Sequence, residues 1–169
     1  YMSEDSLIFK LISKGDVKKL KDILKKDIKL LYIYGPNKEN PIHNACFYGN
    51  KDIIQTLLDY DKKILNSLNN QDCNGYHILA KYNAKLLDYF IKKYKPFDIH
   101  FTDKNGHNIL VTYILNNKLE KTILDSLKNV GCSLLKSNRI NDISFILNKD
   151  YKLLDEVTKY FKFDVNKLH

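Results

Sequence analysis

The chain has 169 residues, 44% of them hydrophobic and 28% charged, values that belong to a folding globular protein and not to a disordered or collagen-like one. Its longest stretch without a charged side chain, Asn105 to Asn117, is far shorter than the roughly 20 apolar residues of a membrane-spanning helix. The formal charge of +8 invites an acidic partner such as nucleic acid, but Arg139 is the only arginine among 28 basic residues, and arginine is the side chain suited to forked recognition of phosphates and guanine edges.

Lysine, asparagine, isoleucine and tyrosine supply 75 of the 169 residues, while alanine stands only at positions 45, 80 and 84. All four abundant types have A/T-rich codons, so the lysine excess is read mainly as the nucleotide bias of a genome. Glu4, Asp5, Lys10 and Lys14 interrupt the apolar positions of the first twenty residues, so no secretory signal is expected. The tyrosine ahead of Met2 is expected to be an addition to the natural start. A cytoplasmic location is anticipated, with the nucleus as the second choice. Cys46, Cys73 and Cys132 are odd in number and widely spaced, which fits small buried or half-buried thiols better than a disulfide framework or a zinc site.

Apolar residues follow helical spacing almost throughout, in short segments separated by polar or glycine-containing breaks. Ser3 is placed to cap a first helix whose apolar side is Leu7, Ile8, Leu11 and Ile12, and Gly15 stops it. Asp16 then caps a second helix carrying Val17, Leu20, Ile23 and Leu24. Gly49-Asn50 repeats the Gly15-Asp16 corner further along, followed by Ile53, Ile54, Leu57 and Leu58. A period in the low thirties marks stacked supersecondary units. Asp72-Cys73-Asn74-Gly75 recurs, at a similar interval, as Asp103-Lys104-Asn105-Gly106. Each ends in Asn-Gly, which readily supplies the positive φ of a tight β-turn. Near the end, Asp142 precedes Ile143, Ile146 and Leu147, and Leu153, Leu154, Val157, Tyr160 and Phe161 form a last apolar stripe.

The string Asn40-Pro41-Ile42-His43-Asn44-Ala45-Cys46 and the continuation Gly49-Asn50-Lys51-Asp52-Ile53-Ile54-Gln55-Thr56-Leu57-Leu58 resemble the ankyrin repeat. The Asp-x-x-Gly segments and the closing Phe163-Asp164-Val165-Asn166 extend the resemblance over the chain. The resemblance implies an all-α solenoid forming a single domain over 1–169, with five helix-turn-helix units at about 3–36, 37–71, 72–102, 103–136 and 137–169 and short β-hairpin fingers between them. The third unit is predicted to be about three residues short in its first helix, around Ala80 to Asn83, and neither it nor the fourth keeps the Thr-Pro-Leu-His string. The fifth lacks a finger glycine in Ser137-Asn138-Arg139.

His43 stands where the family places a histidine that ties neighbouring turns through its backbone contacts. His77 follows Cys73 by four residues, but Gly75 interrupts any helix between them, and no metal site is expected. His100 and His107 read as surface or finger residues. Nucleophile elbows, phosphate-cradling loops and zincin motifs are missing from the sequence, so neither an enzyme nor a cofactor is anticipated. The expectation is a non-enzymatic, monomeric module that captures a protein partner through the concave face lined by fingers and first helices. Carried over position by position, that face comprises Pro36, Asn37, Glu39, Phe47 and Tyr48 from the second unit, Cys73, Asn74 and Tyr76 from the third, and Lys104, Asn105, His107 and Asn116 from the fourth. Phe47 and Tyr48 are the sharpest candidates, because exposed aromatic rings typically anchor protein partners. The composition and the short, alanine-poor array also resemble the ankyrin proteins of large A/T-rich DNA viruses such as poxviruses, or the inhibitor-of-NF-κB-like ankyrin proteins of insect-associated viruses, which implies a host signalling or defence protein as partner. An A/T-rich cellular parasite or protist, with a scaffold role, is the alternative source. The alternative is nucleic-acid binding by the lysine-rich surface. Lysine pairs at 18–19, 25–26, 62–63 and 92–93 are expected near the ends of second helices, as a solvated back.

Overall fold

The computed structural model describes residues 4–134 and Val157. Eight α-helices, three short 3-10 helices and no strand occur among the described residues. The α-helices follow one another in pairs joined by short corners: α1 (Glu4–Lys14) with α2 (Val17–Lys26), α3 (Pro41–Tyr48) with α4 (Lys51–Tyr60), α5 (Gly75–Tyr82) with α6 (Ala84–Lys93), and α7 (Ile109–Asn116) with α8 (Lys121–Asn129). The first helices stack in series, α1 on α3, α3 on α5 and α5 on α7, and the second helices follow them, α2 against α4 and α6 against α8. The expected fifth unit, with Asp142 and the Phe163-Asp164-Val165-Asn166 motif, lies outside the described residues apart from the buried, helical Val157. So does the Ser3 cap.

Each pair turns at a corner whose position recurs at one constant interval along the chain: Gly15, Gly49, Asn83 and Asn117. The two glycines take left-handed φ values of 74° and 73°, where an L side chain is strained. Asn83 and Asn117 keep negative φ, −144° and −133°, and solve the corner with their side chains. Asn83 Nδ2 donates to the carbonyls of Cys46 at 2.7 Å and Phe47 at 3.0 Å. Asn117 Nδ2 donates to those of Ala80 at 2.6 Å and Tyr113 at 2.9 Å. Last-turn carbonyls of a helix have no partner within it, so each amide fastens one helix pair to the C-terminal end of the first helix before it. A Cβ on Gly49 would collide with the Asn83 amide. Asp16 and Asn50 cap the following helices through Lys19 N and Ile53 N.

The first helices begin at Asn40, Asn74 and Asn108, separated by the same interval as the corners. Asn74 Oδ1 accepts from His77 N at 2.9 Å and Asn108 Oδ1 from Val111 N at 2.9 Å. His43 Nδ1 accepts from Asn40 N, and its Nε2 donates to Ser67 O at 2.7 Å. His77 repeats both bonds, with Asn74 N and with His107 O. Burial lowers the pKa of both rings, which keeps them in the neutral form that these two bonds require.

This register corrects the expected one. Asn74-Gly75 is not a finger turn: Asn74 is the N-cap and Gly75 the first residue of α5, equivalent to Asn40-Pro41. The third pair is not shortened, because α3, α5 and α7 each have eight residues. The loops ahead of α3, α5 and α7, called fingers, contain no strand and close by Gly35 N–H to Glu39 O at 2.7 Å, Asn69 N–H to Cys73 O at 3.0 Å and Asp103 N–H to His107 O at 2.9 Å. Positive φ falls at Lys38, Asp72 and Gly106 (55°, 56° and 76°), so only the last of these turns uses glycine there. Asn69 Oδ1 accepts from Gln71 N and Cys73 N, and Asp103 Oδ1 from Asn105 N and His107 N. Adjacent fingers are joined by Asn70 N–H to Asn37 O and Lys104 N–H to Gln71 O, both at 3.0 Å. Lys18 and Lys19, placed at the dipole-favoured end by the sequence reading, stand in the first turn of α2, whereas Lys25, Lys26, Lys92 and Lys93 do occupy last turns. No helix among the described residues is long and apolar enough to cross a membrane.

Candidate functional site

Stacking the first helices beside the fingers leaves a groove of about 560 Å³ along that side of the array. Its finger wall carries Glu39, Cys73 and His107, one from each finger and in equivalent positions. Its floor is Asn44, Ile78 and Thr112, likewise equivalent on α3, α5 and α7. At the helix C-terminal edge Phe47 packs edge-on against Tyr48, with ring centroids 5.2 Å apart, and against Tyr82, at 4.9 Å. These three rings remain 48%, 51% and 50% exposed, so a stable aromatic cluster faces water with its own geometry already set. Lys81 Nζ lies 5.2 Å from the Tyr82 ring centroid.

Of the residues anticipated from sequence, Glu39, Phe47, Tyr48, Cys73, Asn105, His107 and Asn116 line this groove. Pro36, Asn37 and Lys104 are exposed on the fingers but outside the groove lining. Asn74 and Tyr76 are corrections. Asn74 is 4% exposed because it caps α5. Tyr76 is fully buried, its hydroxyl donating to Tyr94 O at 2.6 Å. Sequence reasoning misses Tyr82 and Lys81, although one repeat interval beyond Tyr48 and Phe47 reaches them.

Burial raises the pKa of the Glu39 carboxyl, opposed by a hydrogen bond from Asn69. The Cys73 thiol points at Asp103 Oδ2 at 3.8 Å, and burial together with that carboxylate pushes its pKa up to about 12. A thiol so held is protonated at neutral pH and is a poor nucleophile. Cys46 and Cys132 are buried free thiols whose pKa values burial also raises. Among the described residues, no group of three or more histidine, cysteine, aspartate or glutamate side chains could hold a metal ion.

Helix pairs repeating at a constant interval, histidine-linked turns and a grooved finger side define a helical repeat protein. An ankyrin-repeat family model matches residues 37–66, which supports an ankyrin-repeat protein. No match to a curated protein is found. Ankyrin repeats are in general protein–protein interaction modules, and no feature of the described residues indicates catalysis.

Proposed function

We propose that the chain is a solenoid of five ankyrin units that captures a protein partner in the groove between its fingers and first helices. The unit boundaries would follow the interval of the asparagine caps, with the third unit beginning near Asn69. The observation that carries the reading is the exposed cluster of Phe47, Tyr48 and Tyr82 at the groove edge. Large rings of this kind, desolvated by a partner, supply much of the energy of protein interfaces. Glu39, Cys73, Asn105, His107 and Asn116 add polar contacts along the groove, and Pro36, Asn37 and Lys104 extend them across the finger tips. A host signalling or defence protein is the partner class that the virus-like composition supports.

Affinity capture from native cytosol, with wild-type protein beside a Phe47→Ala/Tyr48→Ala double variant, tests this. Truncating an interface anchor costs about 2 kcal/mol or more, roughly thirtyfold in affinity. The double variant is expected to lose the partner while its thermal midpoint stays within a few degrees of wild type. Unchanged capture by the variant would move the binding surface elsewhere.

A further inference from the structure

The sign of the charge changes inside the groove. Basic residues number 28 of 169 in the chain, yet Lys81 is the only lysine or arginine among the described residues that line it, and its ammonium lies against Tyr82. Two carboxylates come from separate fingers, Glu39 and Asp103. Both are held by neutral donors: Glu39 by Asn69, and Asp103 by Asn105 N, His107 N and the Cys73 thiol. Lys92 pairs with Asp88 on α6, away from the groove. Among the described residues no lysine or arginine is ion-paired with either groove carboxylate, and both stand in a groove edged by exposed aromatic rings.

From this we infer that the groove takes a partner segment bearing a lysine or arginine next to apolar side chains, the cation meeting Glu39 or Asp103 and the apolar groups covering Phe47, Tyr48 and Tyr82. The inference rests on the groove being the binding site. Complementary charge of this kind selects among partners more than it adds affinity. A phosphate backbone would bring anions towards both carboxylates, and an acidic segment would do the same. Partial burial of Glu39, seen in its raised pKa, makes an unmatched occupant costlier than it would be on an open surface.

The test is selection of random twelve-residue peptides displayed on phage against the full chain, followed by fluorescence anisotropy on synthetic copies. Selected peptides are expected to carry lysine or arginine beside leucine, isoleucine or aromatic residues. Replacing that cation by glutamine should weaken binding to wild type about fivefold, the upper end for a partly exposed ion pair. A Glu39→Gln/Asp103→Asn variant, which keeps the finger acceptors, should bind the two peptides equally. Enrichment of acidic peptides, equal binding of the cationic and glutamine peptides to wild type, or an empty selection would overturn the inference. Binding that survives Phe47→Ala/Tyr48→Ala unchanged would instead remove the groove as the site, so the two failures are distinguishable.

Discussion

Replacing Asn83 by alanine removes the amide that fastens the third helix pair to the end of α3. Two neutral hydrogen bonds, to Cys46 O and Phe47 O, are lost, each contributing about 1 kcal/mol net. Cys46 is fully buried, so its carbonyl is left without water, which adds about 1 kcal/mol. The sum, about 2 to 3 kcal/mol, corresponds to a fall of roughly 6 to 9 °C in thermal midpoint for a chain of this size, followed by far-ultraviolet dichroism. Asn83→Asp separates donation from shape. It preserves size but places a carboxylate against two carbonyl oxygens, so it should melt below the alanine variant at neutral pH. Gly49→Ala is harmful for two reasons, its φ of 73° and the collision of its new Cβ with the Asn83 amide. The second vanishes when Asn83 is alanine, so the double variant should lose less than the sum of the single losses by about 0.5 kcal/mol or more. An Asn83→Ala midpoint within about 2 °C of wild type, or strict additivity with Gly49→Ala, would refute the reasoning.

Other outcomes follow from the same geometry. His43 and His77 have pKa values lowered by burial, so the unfolded chain binds more protons than the folded one as pH drops below the ordinary histidine range near 6.5. Their stabilisation is full above that value and is lost as pH falls towards the folded pKa. The urea midpoint should therefore decline between about pH 7 and 5, with a shallower decline in His77→Gln, and equal slopes would count against this. Tyr76→Phe should destabilise by about 1 kcal/mol through loss of the bond to Tyr94 O, whereas Tyr82→Ala, half exposed, should change the midpoint little. With a thiol-specific chromogenic disulfide at about pH 8, all three cysteines should react slowly in the folded chain and fast in denaturant, since Cys73 and Cys132 are pushed up to about 12. Binding to DNA or RNA should be weak, sequence-blind and steeply reduced by salt, and a tight complex with one sequence would promote the lysine-rich surface to a functional role.

The helix pairs are legible in the sequence because their signals are local. Gly15-Asp16, Gly49-Asn50 and the apolar stripes behind them mark corners and caps in a window of a few residues. The register of the third unit is not legible by the same means. Asn74-Gly75 reads as a turn dipeptide, but Asn74 is worth more as an N-cap, bonded to His77 N and His77 Nδ1. The true finger turn places Asp72 at positive φ, where glycine is the usual signal, so nothing local announces it. Misplacing that turn produces the spurious short helix. It also puts Tyr76 on the surface and hides Tyr82 from the groove. Spacing between equivalent asparagines, Asn40, Asn74 and Asn108, carries the information that dipeptide chemistry obscures.

The turns at Lys38 and Asp72 hold L side chains in left-handed backbone, a conformation that costs an ordinary residue about 1 kcal/mol relative to glycine. The third turn, at Gly106, shows that the same geometry tolerates the unstrained choice. Two fingers thus carry an unused stability reserve. A finger wall can accumulate destabilising changes at Glu39 and Cys73 and recover the loss one residue away by a glycine at Lys38 or Asp72. Binding preference and thermal stability are in that sense separately adjustable within a single turn.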